Sequence, residues 1–538
     1  MQRIPLVDLP GSRLLHDWLR AAPSITSFFD VLAPDDAFAE RRARGGAARS
    51  RIAALAVQGM RGLELTPAQQ RNLEAIADPR SVMVATGQQI GLLGGPLYTV
   101  LKIATAAATA QRWQAEWGRP VVPVFWLEDN DHDAKEAATA HLVLADGSIE
   151  TVMAWDETSP RQPVATRRFS AAEVDIITKA LATLSGPHAD SVRESLSTIY
   201  VEGASWADAF VNVLQPIIGG MGVIIIRASD VVASGMHVPL IERDLAHPGG
   251  MAACVASTTA QLTAAGYHEQ AQASEHAFFL LDDEGRQRLR QIDDATVQAG
   301  TSTMSYAALR DLARLSPERF SPGVLARPIM QDAILPTVAC VLGPAELAYH
   351  AQLADAYAWF GVQRAAPVLR HSATLLDAKA ERLLTSLGTK PWWYARPWES
   401  VLADITASLD DAGLPAAETT AKAVRDILAP WLQAASQIDS TLTGSVEAAG
   451  AAMQKALDQL EGKMRAALRR KHSVVIDRHK ALHMAIVPMG ITQERISAIT
   501  HWCSRIGVVD FTLVTREVVQ GDQKEHFYIG LSSVGQSL

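Results

Sequence analysis

Cysteine is scarce: three residues, Cys254, Cys340 and Cys503, stand among 538. They are scattered at no metal-ligand spacing, which excludes a disulfide framework and suits a reducing compartment. An excess of positive charge is also missing. Lys and Arg total 49 against 58 Asp and Glu, a net charge of −9. That balance speaks against nonspecific binding to nucleic acid or an anionic membrane, and leaves room for a local basic pocket. Long apolar runs are absent. "GGMGVIIIRASD" and "IMQDAILPTVACVLG" are too short or too interrupted to span a bilayer. The opening "MQRIPLVDLPGSRLLHDWL" carries charge too early for a signal peptide. The expected address is the cytoplasm, with no nucleic-acid or membrane partner. Internal repeats and low-complexity segments are lacking, as are a Walker A loop and a GxGxxG fingerprint.

What is present fits a folded, multi-domain chain. Hydrophobic residues make up 48% and charged residues 20%. The length implies about two to four domains. Residues 1 to 78 read as mostly helical. "SVMVATGQQ" then reads as a strand, "GLLGGPLYTVLKIATAAATAQRW" as a glycine turn and helix with Pro96 at its start, and "PVVPVFWLE" as a second strand. Strand, turn, helix, strand is a βαβ unit, so the fold class expected is α/β with a parallel sheet. "GVIIIRASD" adds a strand, and "HAFFLLDDEGRQRLR" a hairpin turning at Asp283-Glu284-Gly285. A helix is expected from Pro344. "APVLRHSATLLD" reads as a last strand entering a helix. "PWWYARPW", with Trp392 and Trp393, marks a junction expected to be interdomain core. Beyond about 395 the chain reads as helical. Leu442, Val446, Ala449, Met453, Leu457, Leu460, Met464 and Leu468 form a heptad-like seam, and "IDSTLTGS" a bend between antiparallel helices. In the tail, "VVDFTLVTREVV" and "EHFYIGL" read as strands.

Ligands of open parallel sheets bind beyond the carboxyl ends of the strands. Two unusual stretches fall at such ends, "ATGQQIGLLGGPLY" and "EDNDHD". The first offers glycines and a helix N-terminus for phosphate or carboxylate, centred on Gly94 and Gly95. Gln88 and Gln89 are amides able to hold a sugar hydroxyl or a substrate amide. Lys102 could face the same crevice. In the second, Asp131 and Asp133 flank His132 and could orient it as a general base. They could also ligate a divalent metal, or simply cap the next helix. Further candidates are Arg327 and Gln331, Glu346 and Tyr349, and Arg370, His371 and Ser372. Buried arginines among them could meet an anionic substrate bidentately.

"VATGQQIGLLGGPLYTVLK", "VPVFWLEDNDHD", "ARPIMQDAILPTVACVLGPAELAYHAQL" and "LRHSATLLD" resemble, in order and spacing, the bacillithiol biosynthesis cysteine-adding enzymes, the BshC family. "LPGSRLLHDWL…SFFD" and "GYHEQAQASEHAFFLLDDEGRQRLR" extend the resemblance from near residue 8 to about 470. One departure stands out. The family usually shows Gly-Glu-Asp-His-Asp, whereas Asn130 stands here in place of the Glu.

The resemblance implies a Rossmann-like core akin to class I aminoacyl-tRNA synthetases and nucleotidyltransferases, with inserted connecting segments and an antiparallel coiled-coil domain that dimerises. The division it suggests is 1–390 for the core with an insert near 145–320, 391–475 for the coiled coil, and 476–538 packing back on the core. It implies a ligase forming an amide between L-cysteine and the amine of glucosaminyl-malate. Such a reaction needs carboxyl activation, expected from ATP with Mg²⁺ through an acyl-adenylate or an acyl-phosphate. No tightly bound metal is expected. His132, set by Asp131 or Asp133, is the expected base, and His132→Ala is expected to abolish turnover. Thr86, Gln88, Gln89, Gly94, Gly95, Tyr98, Trp126, Arg327, Gln331, Glu346, Tyr349, Arg370 and Ser372 are the expected nucleotide- or substrate-binding residues. Arg327 and Arg370 would take the malyl carboxylates. The competing readings are a metal-dependent hydrolase or amidase built on Asp131, His132 and Asp133, and a coiled-coil assembly protein with a vestigial nucleotide fold.

Overall fold

The structure, a computed structural model, describes residues 1–144, 147–155, 163–283, 285–409, 413–415 and 417–533. Met1–Ala378 with Ile491–Leu538 make one compact unit, and Lys379–Gly490 make another.

The first unit is built on a parallel sheet of five strands. Their spatial order is Ala366–Leu369, Thr337–Leu342, Val82–Gln89, Val121–Glu128, Ile224–Arg227. Every neighbouring pair is parallel. The sequence explains why the sheet lies in the interior. Val82 and Val84 pack into one apolar cluster, and Met83 and Ala85 into another. Alternate residues of a strand point to opposite faces, so apolar residues at every position demand cover on both. The Leu97–Trp117 helix covers part of this surface and ends at Gly118, whose φ of 63° is the left-handed stop that glycine tolerates best.

From Val82–Gln89 the next two strands in chain order run outward on one side, and the last two run outward on the other. The direction of winding therefore reverses between Val82–Gln89 and Thr337–Leu342. In open α/β sheets that reversal opens a crevice at the carboxyl ends. The α/β class, the Rossmann-like sheet and the expected strand–helix–strand unit are all present.

An antiparallel sheet of five strands lies, in chain order, between the core strands Ile224–Arg227 and Thr337–Leu342: Ser302–Ser305, Thr296–Ala299, Gly285–Gln291, Phe278–Asp282 and Phe320–Pro322. It contains the expected hairpin, with Asp282 opposite Gly285. Glu284 of the expected turn lies outside the described residues.

Two expectations fail. "APVLRHSATLLD" is not one strand. It breaks at Arg370 and His371, and Ser372–Leu376 joins a separate sheet with Glu525–Gly530 and Gln2–Pro5. "VVDFTLVTREVV" is not a strand but the helix Val508–Val518. Its buried residues Phe511, Val514, Thr515 and Val518 are spaced three, one and three apart, a helical stripe that outweighs the β-branched content.

The second unit is helical. Ala417–Ile438 and Thr443–Lys471 pack together across the short turn Ser440–Leu442, where the Asp439 side chain accepts from Thr441 N at 2.9 Å. This is the expected bend. Gly450 lets Leu428 pack closely: a Cβ there would lie 2.5 Å from Leu428 Cδ1, so that side chain would have to shift. The seam residues Met453, Leu460 and Met464 remain exposed, whereas Leu468 is buried. Residues 391–398 lie within this unit rather than at its border, and Trp393 packs on Tyr394 and His479. Among the described residues no helix is long and apolar enough to cross a membrane.

Candidate active site

A cavity of about 290 Å³ occupies the crevice at the winding reversal. Gly87, Gln88 and Gln89 reach it from the end of one strand, Glu128 from the next, and Gly343 and Arg370 from the two strands on the other side. The two stretches singled out in the sequence therefore do meet over one crevice.

Its floor is cationic. Lys102, one turn into the Leu97–Trp117 helix, is buried, and its Nζ donates to Gly87 O, to Gln88 Oε1 at 3.3 Å and to Glu346 Oε1 at 2.9 Å. Burial lowers the ammonium's hold on its proton, and Glu346 opposes that. Glu346 also accepts from Gly343 N at 2.8 Å, which caps its own helix. Arg327 lies beside Lys102, 91% buried by its 9% exposure. Its Nη2 donates to Tyr349 Oη at 3.3 Å, while Nη1 has no hydrogen-bond partner among the described residues. Burial works against its charge, and Tyr349, Glu128 and Glu346 more than restore it. Gly87 makes room for this guanidinium: a Cβ would stand 3.0 Å from Nη1.

Glu128 ends its strand facing the cavity. Its Oε2 accepts from Trp126 Nε1 at 3.0 Å. Burial pushes the carboxyl up to about 7, with Arg327 and Trp126 pulling down and Asp131 and Asp129 adding repulsion. The next residue does something else. Asp129 accepts from Ser229 N at 2.8 Å and from Ser229 Oγ at 2.6 Å, pinning the loop to the neighbouring strand's end. Burial pushes Asp129 up to about 6 against those bonds. Asn130 lines the cavity with its amide nitrogen buried and unpartnered.

Asp131 and Asp133 divide the roles expected of both. Asp131 lines the cavity and lies 3.1 Å from His132 Nδ1 through Oδ1. It also accepts from Gln89 and from His132 N. Burial would raise its carboxyl, but the His132 ring, the Arg286 guanidinium and Gln89 hold it well below the usual range. Asp133 instead accepts from Glu136 N at 2.9 Å and caps the short helix Ala134–Ala137. His132 Nδ1 is also 3.3 Å from Arg286 Nη1. As an N–H it donates to Asp131; as a bare nitrogen it accepts from Arg286. The His132 ring lines neither this cavity nor its neighbour.

Arg286 was missed by sequence reasoning. It comes from the antiparallel sheet, stacks 4.1 Å from the Phe279 ring centre, and donates to Pro322 O. Arg495 was missed too. Its guanidinium lies 5.7 Å from the Tyr98 ring centre, with Arg370 at 5.6 Å. Neither arginine carries a local motif; each is brought in by distant chain. Gln88 Nε2 donates to Tyr98 Oη at 3.0 Å. A second cavity of about 430 Å³ adjoins the first across Gln88, Gln89, Tyr98, Glu136 and Arg495.

Other expected residues are elsewhere. Thr86 is buried and donates to Val341 O at 3.0 Å. Trp126 is core, apart from its bond to Glu128. Gln331 is buried between Asp332 and Cys340. Ser372 donates to Glu494 Oε2 at 2.9 Å, behind Arg370. The helix start at Gly94 and Gly95 is more closed than the expected phosphate cradle, although Gly95 lines the second cavity. Gly94 packs against Val213 and Ile499, Gly95 N bonds to Leu92 O, and Leu97 N bonds to Ser497 O. Gly94 serves close packing, and the N–H groups of Gly95, Leu97 and Thr99 at this helix start are bonded within the chain. Among the described residues, no three His, Cys, Asp or Glu side chains gather to hold a metal ion.

Comparison with known proteins gives a consistent answer. The profile "Bacillithiol biosynthesis BshC, N-terminal Rossmann-like domain" matches residues 1–371, and "Bacillithiol biosynthesis BshC, C-terminal coiled-coil domain" matches residues 373–523. A protein of Salinibacter ruber described as "Putative cysteine ligase BshC" is 30% identical over 453 residues, 81% of this chain and 80% of its own. A protein of Koribacter versatilis with the same description is 30% identical over 523 residues, 94% and 95% of the two chains. Among solved structures, a Thermus thermophilus arginyl-tRNA synthetase aligns over 85% of this chain and 84% of its own at 12% identity, with a TM-score of 0.16, too low to carry an argument.

Proposed function

The chain belongs to the BshC family of bacillithiol biosynthesis, and from that premise we propose that it is a cysteine ligase, joining the carboxyl of L-cysteine to the amine of glucosaminyl-malate. The observation that carries the reading is the buried Arg327 with its unpartnered Nη1, set in a cationic crevice at the winding reversal of the sheet. A buried donor without a partner costs stability, and an anionic ligand would satisfy it. Arg286, whose Nε is likewise buried and unpartnered, faces the same space.

A cysteine carboxylate is a poor electrophile. A nucleoside triphosphate with Mg²⁺ would supply its activation, with Arg327 and Arg286 as the groups able to hold anionic oxygens. The chain's own residues then position the amine and accept its proton. Tyr98, Gln88 and Gln89 separate the two cavities and suit a division between two substrates. Arg370 is already neutralised by Glu494, so Arg327 is the stronger candidate for the malyl carboxylates. The metal-hydrolase reading gains nothing from Asp131 and His132, which no third ligand joins among the described residues.

The exposed seam of the Thr443–Lys471 helix suits a second copy of the chain, and we propose a homodimer through it. The free thiols Cys254, Cys340 and Cys503 suit the cytoplasm. The test of the substrate assignment is ligand-induced stabilisation. ATP with Mg²⁺ and glucosaminyl-malate should each raise the melting temperature of the wild-type protein. No rise with either would contradict the reading.

A further inference from the structure

We propose that Glu128 is the catalytic carboxylate that takes the proton from the attacking amine, in place of His132. This rests on the ligase reading.

Position is the first argument. Glu128 ends a core strand and opens directly into the cavity. A strand end within a sheet covered on both faces is a rigid platform. Trp126, two residues earlier on the same strand, fixes Oε2 through its indole N–H. Oε1 has no hydrogen-bond partner among the described residues and is left to accept a proton.

Elimination is the second. Of the other acids around the crevice, all but Glu136 are committed. Asp131 is held by His132, Gln89 and Arg286. Glu346 is held by Lys102 and Gly343 N, and Glu494 by Arg370 and Ser372. Glu136 faces both cavities from the short helix Ala134–Ala137 and is exposed to solvent, its carboxyl raised by partial burial and by Asp133 and Asp131; it lacks the fixing bond that Trp126 gives Glu128. His132 lines neither cavity, and its Nδ1 lies between Asp131 and Arg286.

Electrostatics is the third. Two cations, Arg327 and Arg286, and two anions, Asp129 and Asp131, bear on Glu128. Burial leaves the carboxyl near 7, where proton acceptance and ionisation are both accessible at neutral pH. In the step itself, the amine nitrogen forms a bond to the activated cysteine carbonyl carbon. The bond from that carbon to the departing phosphoryl oxygen breaks. The nitrogen's proton passes to Glu128 and leaves to solvent after product release.

The test is a pH–rate profile of wild type, Glu128→Gln, Glu128→Asp and His132→Ala, with melting temperature followed from pH 5 to 8. Glu128→Gln should lower kcat at least about 100-fold, leave the KM for both substrates within a few-fold, and abolish the rise in rate through pH 7. Glu128→Asp should recover part of the rate. Without any turnover, Glu128→Gln should still gain melting temperature on wild type as pH rises, because it removes a charge that burial disfavours. Wild-type kcat and an unchanged pH limb in Glu128→Gln would overturn the proposal. A wild type that makes no product sinks the ligase reading and this role with it, while the melting comparison still reports the carboxyl's environment.

Discussion

Arg370 Nη1 donates to Glu494 Oε2 at 2.9 Å, and Nη2 closes a second bond to Oε1. Both side chains are buried. The pair ties the chain after Ile491 to the end of a core strand 124 residues away. Removing one partner of a buried pair strands the other charge, so Glu494→Gln should cost about 3–5 kcal/mol in chemical denaturation. The sign with pH follows. Burial would raise the Glu494 carboxyl, but Arg370 and Ser372 lower it below its ordinary 4.5. Its stabilisation is therefore complete above about pH 4.5 and is lost as pH falls through the lower, folded value. Wild type should lose stability there faster than Glu494→Gln.

Arg327→Gln should weaken binding of the anionic substrate about 10- to 100-fold, the worth of one or two charge-assisted hydrogen bonds. Isothermal titration with glucosaminyl-malate reads this directly. Unchanged affinity would remove Arg327 from the binding site.

His132→Ala should reduce kcat no more than about tenfold, well short of the loss expected at Glu128. Its ring orients Asp131 and Arg286 at the rim rather than entering the cavity. Complete loss of turnover with the fold intact would restore the histidine as the base.

Leu460 and Met464 are 52% and 44% exposed on the Thr443–Lys471 helix. If they meet a second copy, Leu460→Glu with Met464→Glu should convert a dimer to a monomer in analytical ultracentrifugation while melting remains cooperative. A wild type that sediments as a monomer would contradict the dimer.

Much of the fold was legible because the core strands carry runs of consecutive apolar residues, and such runs followed by glycine turns and a long helix admit few other arrangements. The helical pair was legible from its three-and-four spacing. The helix Val508–Val518 was not, because its Val and Thr content imitates a strand and its buried stripe covers few positions. The site was half legible. Glu128, Asn130 and Asp131 lie in the stretch whose acidity after an apolar run drew attention. Which acid faces the cavity and which caps a helix depends on turns of single residues that composition does not report. Arg286, Glu494 and Arg495 arrive from other elements, and no local pattern announces them.

The most direct measurement is mass spectrometry of a reaction containing the purified chain, L-cysteine, glucosaminyl-malate, ATP and Mg²⁺. The account predicts the cysteinyl amide, formed in proportion to ATP consumed, with AMP or ADP reporting the manner of activation. A folded protein that binds these compounds and yields no amide, or one that binds none of them, would contradict it.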